Sequence, residues 1–287
     1  MASIDGASEH SLGAQHLPGC LRLSESANWN QNEADWRLML AMGRGYGLSL
    51  PDGTLAASTI TLPYGERFAW ISMVLVLPEQ RRKGYATRLL RRALADLEAE
   101  RRTAVLDATP AGREVYAQEG FGGTWGFRRY EVRALRGSAQ NVAGVRVRPL
   151  ADADWPQVLA LDVPAFGASR ETLLRALAAR LPNSALAAER GGEFAGFLLG
   201  RDGREASQLG PLVARDGTVA KALLDAALLR VAPPLYLDLV DREVDLRAWL
   251  EGRGFVFQRP FTRMVHGAER APGEEKLVFL PAGAELG

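Results

Sequence analysis

One cysteine, Cys20, stands in 287 residues. An intramolecular disulfide is therefore excluded, and a reducing compartment is expected. The three histidines, His10, His16 and His266, are scattered, and no Cys/His ligand spacing exists, so no metal site is expected. No run approaches the ~18 apolar residues of a membrane span. The opening stretch, MASIDGASEHSLGAQHLPG, lacks the basic start and apolar block of a signal peptide. The reading is a cytoplasmic protein without a membrane partner, with residues 1–16 as a mobile leader. Bulk charge is missing as well. A formal net charge of +1 argues against a nucleic-acid partner held mainly by charge. With no G-x-x-x-x-G-K-[ST] loop and no G-x-S-x-G elbow, nucleotide kinases and serine hydrolases are disfavoured.

What is present centres on WISMVLVLPEQRRKGYATRLLRRAL, Trp70 to Leu94. An apolar strand stops at Pro78, since the residue before a proline is held extended. A basic segment with one glycine follows. From Gly84 the period becomes helical, with Leu89, Leu90, Ala93, Leu94 and Leu97 on one face and Arg88, Arg91, Arg92, Asp96 and Glu98 on the other. A strand, a glycine loop and a helix N-terminus together present a concave set of backbone N–H groups, which suits a pyrophosphate. Arg81, Arg82 and Lys83 add formal charge. The competing readings are a solvated basic loop that caps the helix, and a DNA contact through Arg81, Arg82, Arg88, Arg91 and Arg92.

The order of elements then repeats: hairpin, central strand, helix, strand, short helix ending in Gly-Phe, strand. Asp107 precedes Tyr116 by nine residues, and Gly120-Phe121 follows four later; Asp241, Leu250 and Gly254-Phe255 keep the same spacing. This indicates an internal duplication. The domains read as 17–135 and 145–270, with a linker at 136–144 and a tail at 271–287.

Arg81-Arg82-Lys83-Gly84-Tyr85-Ala86 fits R/Q-x-x-G-x-G/A and resembles motif A of the GNAT superfamily of N-acetyltransferases. The stretch VYAQEGF resembles the family's second signature, a helix bearing a tyrosine just before Gly-Phe. The resemblance spans roughly residues 20–135. Tandem GNAT proteins of the YitH type look similar end to end, including WNQNEADW near the start and RPFTRM near the end. The resemblance implies two tandem α/β domains, each a twisted mixed β-sheet flanked by helices. It implies acetyl-CoA as cosubstrate, no metal, and direct transfer to an amine without an acyl-enzyme, so Cys20 reads as a small apolar filler.

The cofactor contacts so implied are Arg81, Arg82, Lys83, Gly84, Tyr85, Ala86 and Thr87, with Thr109, which also reads as a turn residue. The family carries a bulge in its central strand, which maps to Met73–Val76. The backbone of Val74 becomes the donor to the thioester carbonyl and that of Val76 a pantetheine contact. Tyr116 is the candidate acid for the departing thiolate, with simple packing as its other reading. For the base, Asp107 and Glu66 stay open, and each also reads as a structural or surface acid. Asp35 and Glu33 read as amine-side or helix-capping acids. The acceptor is a small-molecule or peptide amine, and monomer and homodimer both remain open. The alternative function is a non-catalytic acyl-CoA sensor, which would have no need of Tyr116. In the second half the loop equivalent to the cradle, Ala214-Arg215-Asp216-Gly217, has no basic run, Asp216 sits at the helix start, and Leu250 takes the tyrosine's place. That half is expected to bind no acetyl-CoA and to close the amine side of the cleft.

Overall fold

The computed structural model describes residues 6–137 and 142–287. Residues 1–5 of the expected leader and 138–141 of the expected linker lie outside them. The N-terminal half runs β1 (Ser8–Leu12), α1 (Leu17–Ser26), α2 (Glu33–Met42), β2 (Arg44–Ser49), β3 (Leu55–Tyr64), β4 (Phe68–Val76), α3 (Tyr85–Ala99), β5 (Thr103–Ala108), α4 (Pro110–Gln118) and β6 (Phe121–Val132). The C-terminal half runs β7 (Arg146–Pro149), α5 (Trp155–Phe166), α6 (Glu171–Arg180), β8 (Leu186–Arg190), β9 (Glu193–Arg201), β10 (Ser207–Ala214), α7 (Gly217–Leu228), β11 (Leu235–Val240), α8 (Val244–Gly252), β12 (Val256–His266) and β13 (Val278–Leu280).

The leader reading needs correction over its described part. Ser8–Leu12 pairs antiparallel with β2, from Ser8↔Ser49 to Leu12↔Gly45. The strand is short and mostly polar, so it lacks a hydrophobic signature. It is held at the edge by Leu12, which is buried, and by Glu9, which accepts from Arg88 Nε on α3 at 3.1 Å. Cys20 on α1 is fully buried, and burial pushes its thiol up to about 12.

Both mixed sheets are present, and they are joined into one 13-stranded sheet. Its path is β1-β2-β3-β4-β5-β12-β6-β11-β10-β9-β8-β7, with β13 pairing β10 off that path. The halves have exchanged their last strands. β12 of the second half pairs with β5 of the first, and β6 of the first pairs with β11 of the second. At the crossing, β6 and β12 pair with each other, and Phe127 lies directly opposite Phe261. Their rings stack with centroids 5.0 Å apart and planes 15° apart.

The crossing has the reciprocity of a twofold interface. Phe127 stands six residues after Phe121, and Phe261 six after Phe255. Arg129 and Arg263 each stand eight after the same markers. Arg263 forms two hydrogen bonds to Asp107 of β5, both 2.9 Å, and Arg129 two to Asp238 of β11, both 2.8 Å. The structural twin of Asp107 is therefore Asp238, not the Asp241 that the spacing suggested. The stretch from Asp238 to Phe255 is three residues longer than that from Asp107 to Phe121, two of them in the turn after the strand, which shifts the sequence alignment. Arg263 is also sandwiched between Trp70, 4.4 Å away, and Trp125, 4.1 Å away.

Removing one partner of a buried pair strands the other charge, at a cost of about 3–5 kcal/mol, whereas replacing both with apolar residues is far milder. Arg129→Met should lower unfolding free energy by that amount in a urea titration, and Arg129→Met with Asp238→Leu should recover most of it. Equal losses in the single and double variants would show that the pair does not hold the exchange.

Candidate active site

Parallel strands β4 and β5 pair only over Phe68–Trp70 and Thr103–Val105. Beyond Trp70 they part, and among the described residues the β4 edge from Ser72 to Val76 has no strand beside it on that side. The gap opens a cavity lined by, among others, Val74, Asp107, Tyr116, Arg259, Phe261 and Glu285.

The β3–β4 register slips between Ser58 and Ile60, so that Met73 and Val74 together face Thr59. This is a β-bulge. Met73 takes φ 52°, a left-handed conformation that costs a side chain energy. The Ser58 hydroxyl, donating to the Met73 carbonyl at 2.7 Å, holds it there. A bulge leaves a ladder group unpaired and re-aims the backbone. It lies in the Met73–Val76 segment named from the sequence, and Val74 lines the cavity.

At the end of β4, Arg81 to Gly84 form an exposed loop leading into α3. Arg82 has φ 64° and Gly84 φ 80°. Such left-handed turns fold successive N–H groups into an anion-binding concavity. Gly84 is the residue before α3, and no side chain caps the first turn. A Cβ built on Gly84 meets nothing within 4 Å, so the space in front of its backbone is open. This fits a phosphate-bearing ligand: unsatisfied helix N–H groups, an open approach, and Arg81, Arg82 and Lys83 around them. Lys83 Nζ donates to Gln80 at 2.9 Å and Arg81 Nε to the Val76 carbonyl at 3.4 Å. Tyr85 turns inward and is buried, while Ala86 and Thr87 are half-buried in the first turn.

Tyr116 on α4 lines the cavity, and burial pushes its phenol up to about 12. Thr109 also lines it, and its hydroxyl caps α4 by accepting from Gly112 N at 3.3 Å. Asp107 lines the cavity and anchors Arg263. Burial pushes its carboxyl up, against the pull of that guanidinium. Each oxygen accepts one bond from Arg263 and retains a second lone pair.

Glu66 does not reach the site. It sits exposed in the tight turn between Tyr64 and Phe68, which pair across the hairpin. Met73 is seven residues further along β4, about 23 Å at ~3.3 Å per residue. Glu33 is exposed and pairs with Arg37. Asp35 is buried in a capping box with Asn32 and bonds Arg180 at 2.5 Å and Arg201 at 2.7 Å, so it joins the halves.

The sequence reading missed Glu285. The tail is not an appendage: its β13 pairs with β10, and Ala284 and Leu286 carbonyls accept from Trp70 Nε1 at 3.1 Å and the Tyr64 hydroxyl at 2.8 Å. Glu285 is thereby delivered to the cavity, bonded to Arg201. Burial raises its pKa, but Arg201 and Arg129 outweigh burial and hold it below the usual carboxylate range. No periodic signal marks a lone glutamate in a Pro/Gly/Ala stretch.

The second half keeps the parting of its parallel strands but differs in what surrounds the gap. β10 and β11 pair over Ser207–Leu209 and Leu235–Leu237, then part as β4 and β5 do. Here β13 lies along the freed edge, with Leu212↔Leu280 and Val213↔Val278. The bulge of β10 falls at Gly210–Pro211, opposite Leu199, and Pro211 stands where Val74 does. Proline has no N–H to donate. Asp216 caps α7, accepting from Thr218 N at 3.0 Å and Val219 N at 3.1 Å, and Arg190 bonds both its oxygens. Leu250 is buried.

An "Acetyltransferase (GNAT) family" model matches residues 19–121 and an "Acetyltransferase (GNAT) domain" model residues 158–280. The chain is a tandem of two GNAT domains. It is 24% identical over 246 residues to the uncharacterized N-acetyltransferase YitH of Bacillus subtilis (strain 168), covering 85% of this chain and 86% of that protein. A putative acetyltransferase from Pyrococcus horikoshii shares the fold across 100% of this chain and 98% of its own, at 20% identity and a TM-score of 0.82. A tandem GNAT protein from the clavulanic acid biosynthesis pathway does so across 93% and 100%, at 16% identity and a TM-score of 0.63. GNAT membership carries acetyl transfer as the general activity. Among the described residues no helix is long and apolar enough to cross a membrane.

If backbone N–H groups hold the phosphates, Gly84→Val should weaken acetyl-CoA binding more than Arg82→Ala, because a branched Cβ blocks the approach and disfavours φ 80°. Calorimetry showing the reverse order would mean that side-chain charge does the work.

Proposed function

We propose that this protein is an acetyl-CoA-dependent N-acetyltransferase, acting on a primary amine by direct transfer in the cleft of its N-terminal half. The supporting observation is one of contrast. The β4–β5 cleft combines an uncapped helix N-terminus, a bulge with a donor-bearing residue and a tyrosine, and the β10–β11 cleft has lost all three.

Bound acetyl-CoA supplies a thioester acetyl group. Arg81 to Ala86 and the first turn of α3 hold its phosphates, and the open edge of β4, with Val76, pairs with its amide-bearing arm. The Val74 N–H is the donor for the carbonyl oxygen as negative charge develops there. The acceptor amine must be neutral to attack, and an ordinary alkyl ammonium titrates near 10.4. The neighbouring Arg129 guanidinium favours loss of its proton. Asp107 is the acceptor for that proton, since burial makes its carboxyl more basic than usual, whereas Arg201 and Arg129 hold Glu285 below the usual range. Tyr116 holds the proton needed by the leaving thiolate, and its raised pKa keeps the phenol protonated throughout the working range.

Tyr116→Phe should leave acetyl-CoA affinity intact and lower turnover by ~10²-fold. Unchanged turnover with an active amine would reassign Tyr116 to packing. In the unmodified protein, a phenol raised to about 12 implies no fall in rate between about pH 9 and 10. A fall there in kcat that Tyr116→Phe abolishes would mean that the phenol ionises earlier than its burial implies.

A further inference from the structure

The cavity's cations are not alike. Arg129 is bonded twice to Asp238 and Arg263 twice to Asp107, and Arg201, just behind, is divided between Asp35 and Glu285. Arg259 lines the same cavity on β12, and among the described residues it has no hydrogen-bond or ion-pair partner. Its Nε is buried without an acceptor. Its nearest aromatic contact is the Phe261 ring, 5.6 Å from the guanidinium carbon. A half-buried guanidinium with an empty fork is costly to the free protein and presents a planar, bidentate site for an oxyanion. Burial, and then repulsion from Arg129, lower its pKa, the sign of a cation short of counter-charge. Asp238 and Glu285 offset this only in part, because each is also bonded to another arginine.

From this geometry we infer that the acceptor is a small amine bearing its own carboxylate, an amino-acid-like zwitterion, with the carboxylate seated on Arg259. The inference rests on the transferase reading and names its substrate class. Glu285 faces the same cavity as an ionised carboxylate and is the counterpart for the incoming ammonium. The walls favour a free small molecule over a peptide lysine. Trp29 and Gln31, ahead of α2, line the cavity together with Phe261 and Ala284. A lysine within a peptide offers neutral amides at that end, and these leave the Arg259 fork unfilled.

The test uses the full chain with acetyl-CoA, reading free thiol, and matched acceptors: common L-amino acids, their carboxamides, their decarboxylated amines, and phosphoethanolamine. The carboxylated member of a productive set should exceed its neutral partners in kcat/KM by at least ~10-fold. Arg259→Met should erase that preference by raising KM for the carboxylated acceptor ~10–10²-fold, with kcat and the acetyl-CoA KM unchanged, and Arg259→Lys should restore part of it. Thermal stabilisation gives a readout independent of turnover: the amino acid, and not its amide, should raise Tm, and Arg259→Met should abolish the rise. Selective stabilisation without turnover of any amine would keep the carboxylate site and defeat the transferase reading. Turnover of neutral amines equal to that of carboxylated ones, a preference for phosphoethanolamine, or an equal loss for all acceptors in Arg259→Met would overturn the inference.

Discussion

The exchange of last strands is the constraint on which the rest of the molecule depends. A separate GNAT-like half would end its sheet on its own last strand. Here that strand lies in the neighbour's sheet, and the stacked Phe127–Phe261 pair marks the crossing. Burying two arginines and two aspartates there is expensive, and the bidentate geometry recovers that cost only in one register. The four residues Asp107, Arg263, Asp238 and Arg129 thus act as a register lock more than as a source of stability. The same lock brings β12 beside β5, which places Arg259 and Phe261 over a cleft built mostly by the first half.

Duplication followed by divergence explains the asymmetry of the clefts. Parting of two parallel strands is a property of the fold and occurs twice. What fills the gap differs. On one side the β4 edge is left open beside a cavity. On the other, β13 satisfies the β10 edge, and the same segment runs on to present Glu285 to the first cleft. One stretch of chain therefore closes one site and completes the other. Each change at α7 and β10 removes a donor: Asp216 consumes the helix N–H groups, and Pro211 has none to offer.

Much of this was legible in local pattern. The strand, loop and helix from Trp70 to Ala99 follow from a change of period at Gly84, and Asp216 announced itself as a cap by type and place. The two stretches WNQNEADW and RPFTRM, notable in sequence only for resemblance, turn out to supply Trp29, Gln31, Arg259 and Phe261 to the cavity. What was not legible depends on pairings distant in the chain. The exchange leaves no trace in periodicity, since β12 reads as a strand whichever sheet receives it. β1 is too polar, and β13 too short, to stand out. Glu66 was drawn in by its place before the central strand, and hairpin geometry puts it at the far end.

The central claim is that one cleft of the two accepts acetyl-CoA, because the other is occupied by the protein's own chain. Calorimetric titration of the full-length protein with acetyl-CoA tests this most directly. The account predicts one equivalent per chain. Two equivalents of comparable affinity would contradict it, since β13 would then have to leave β10 for the second to bind.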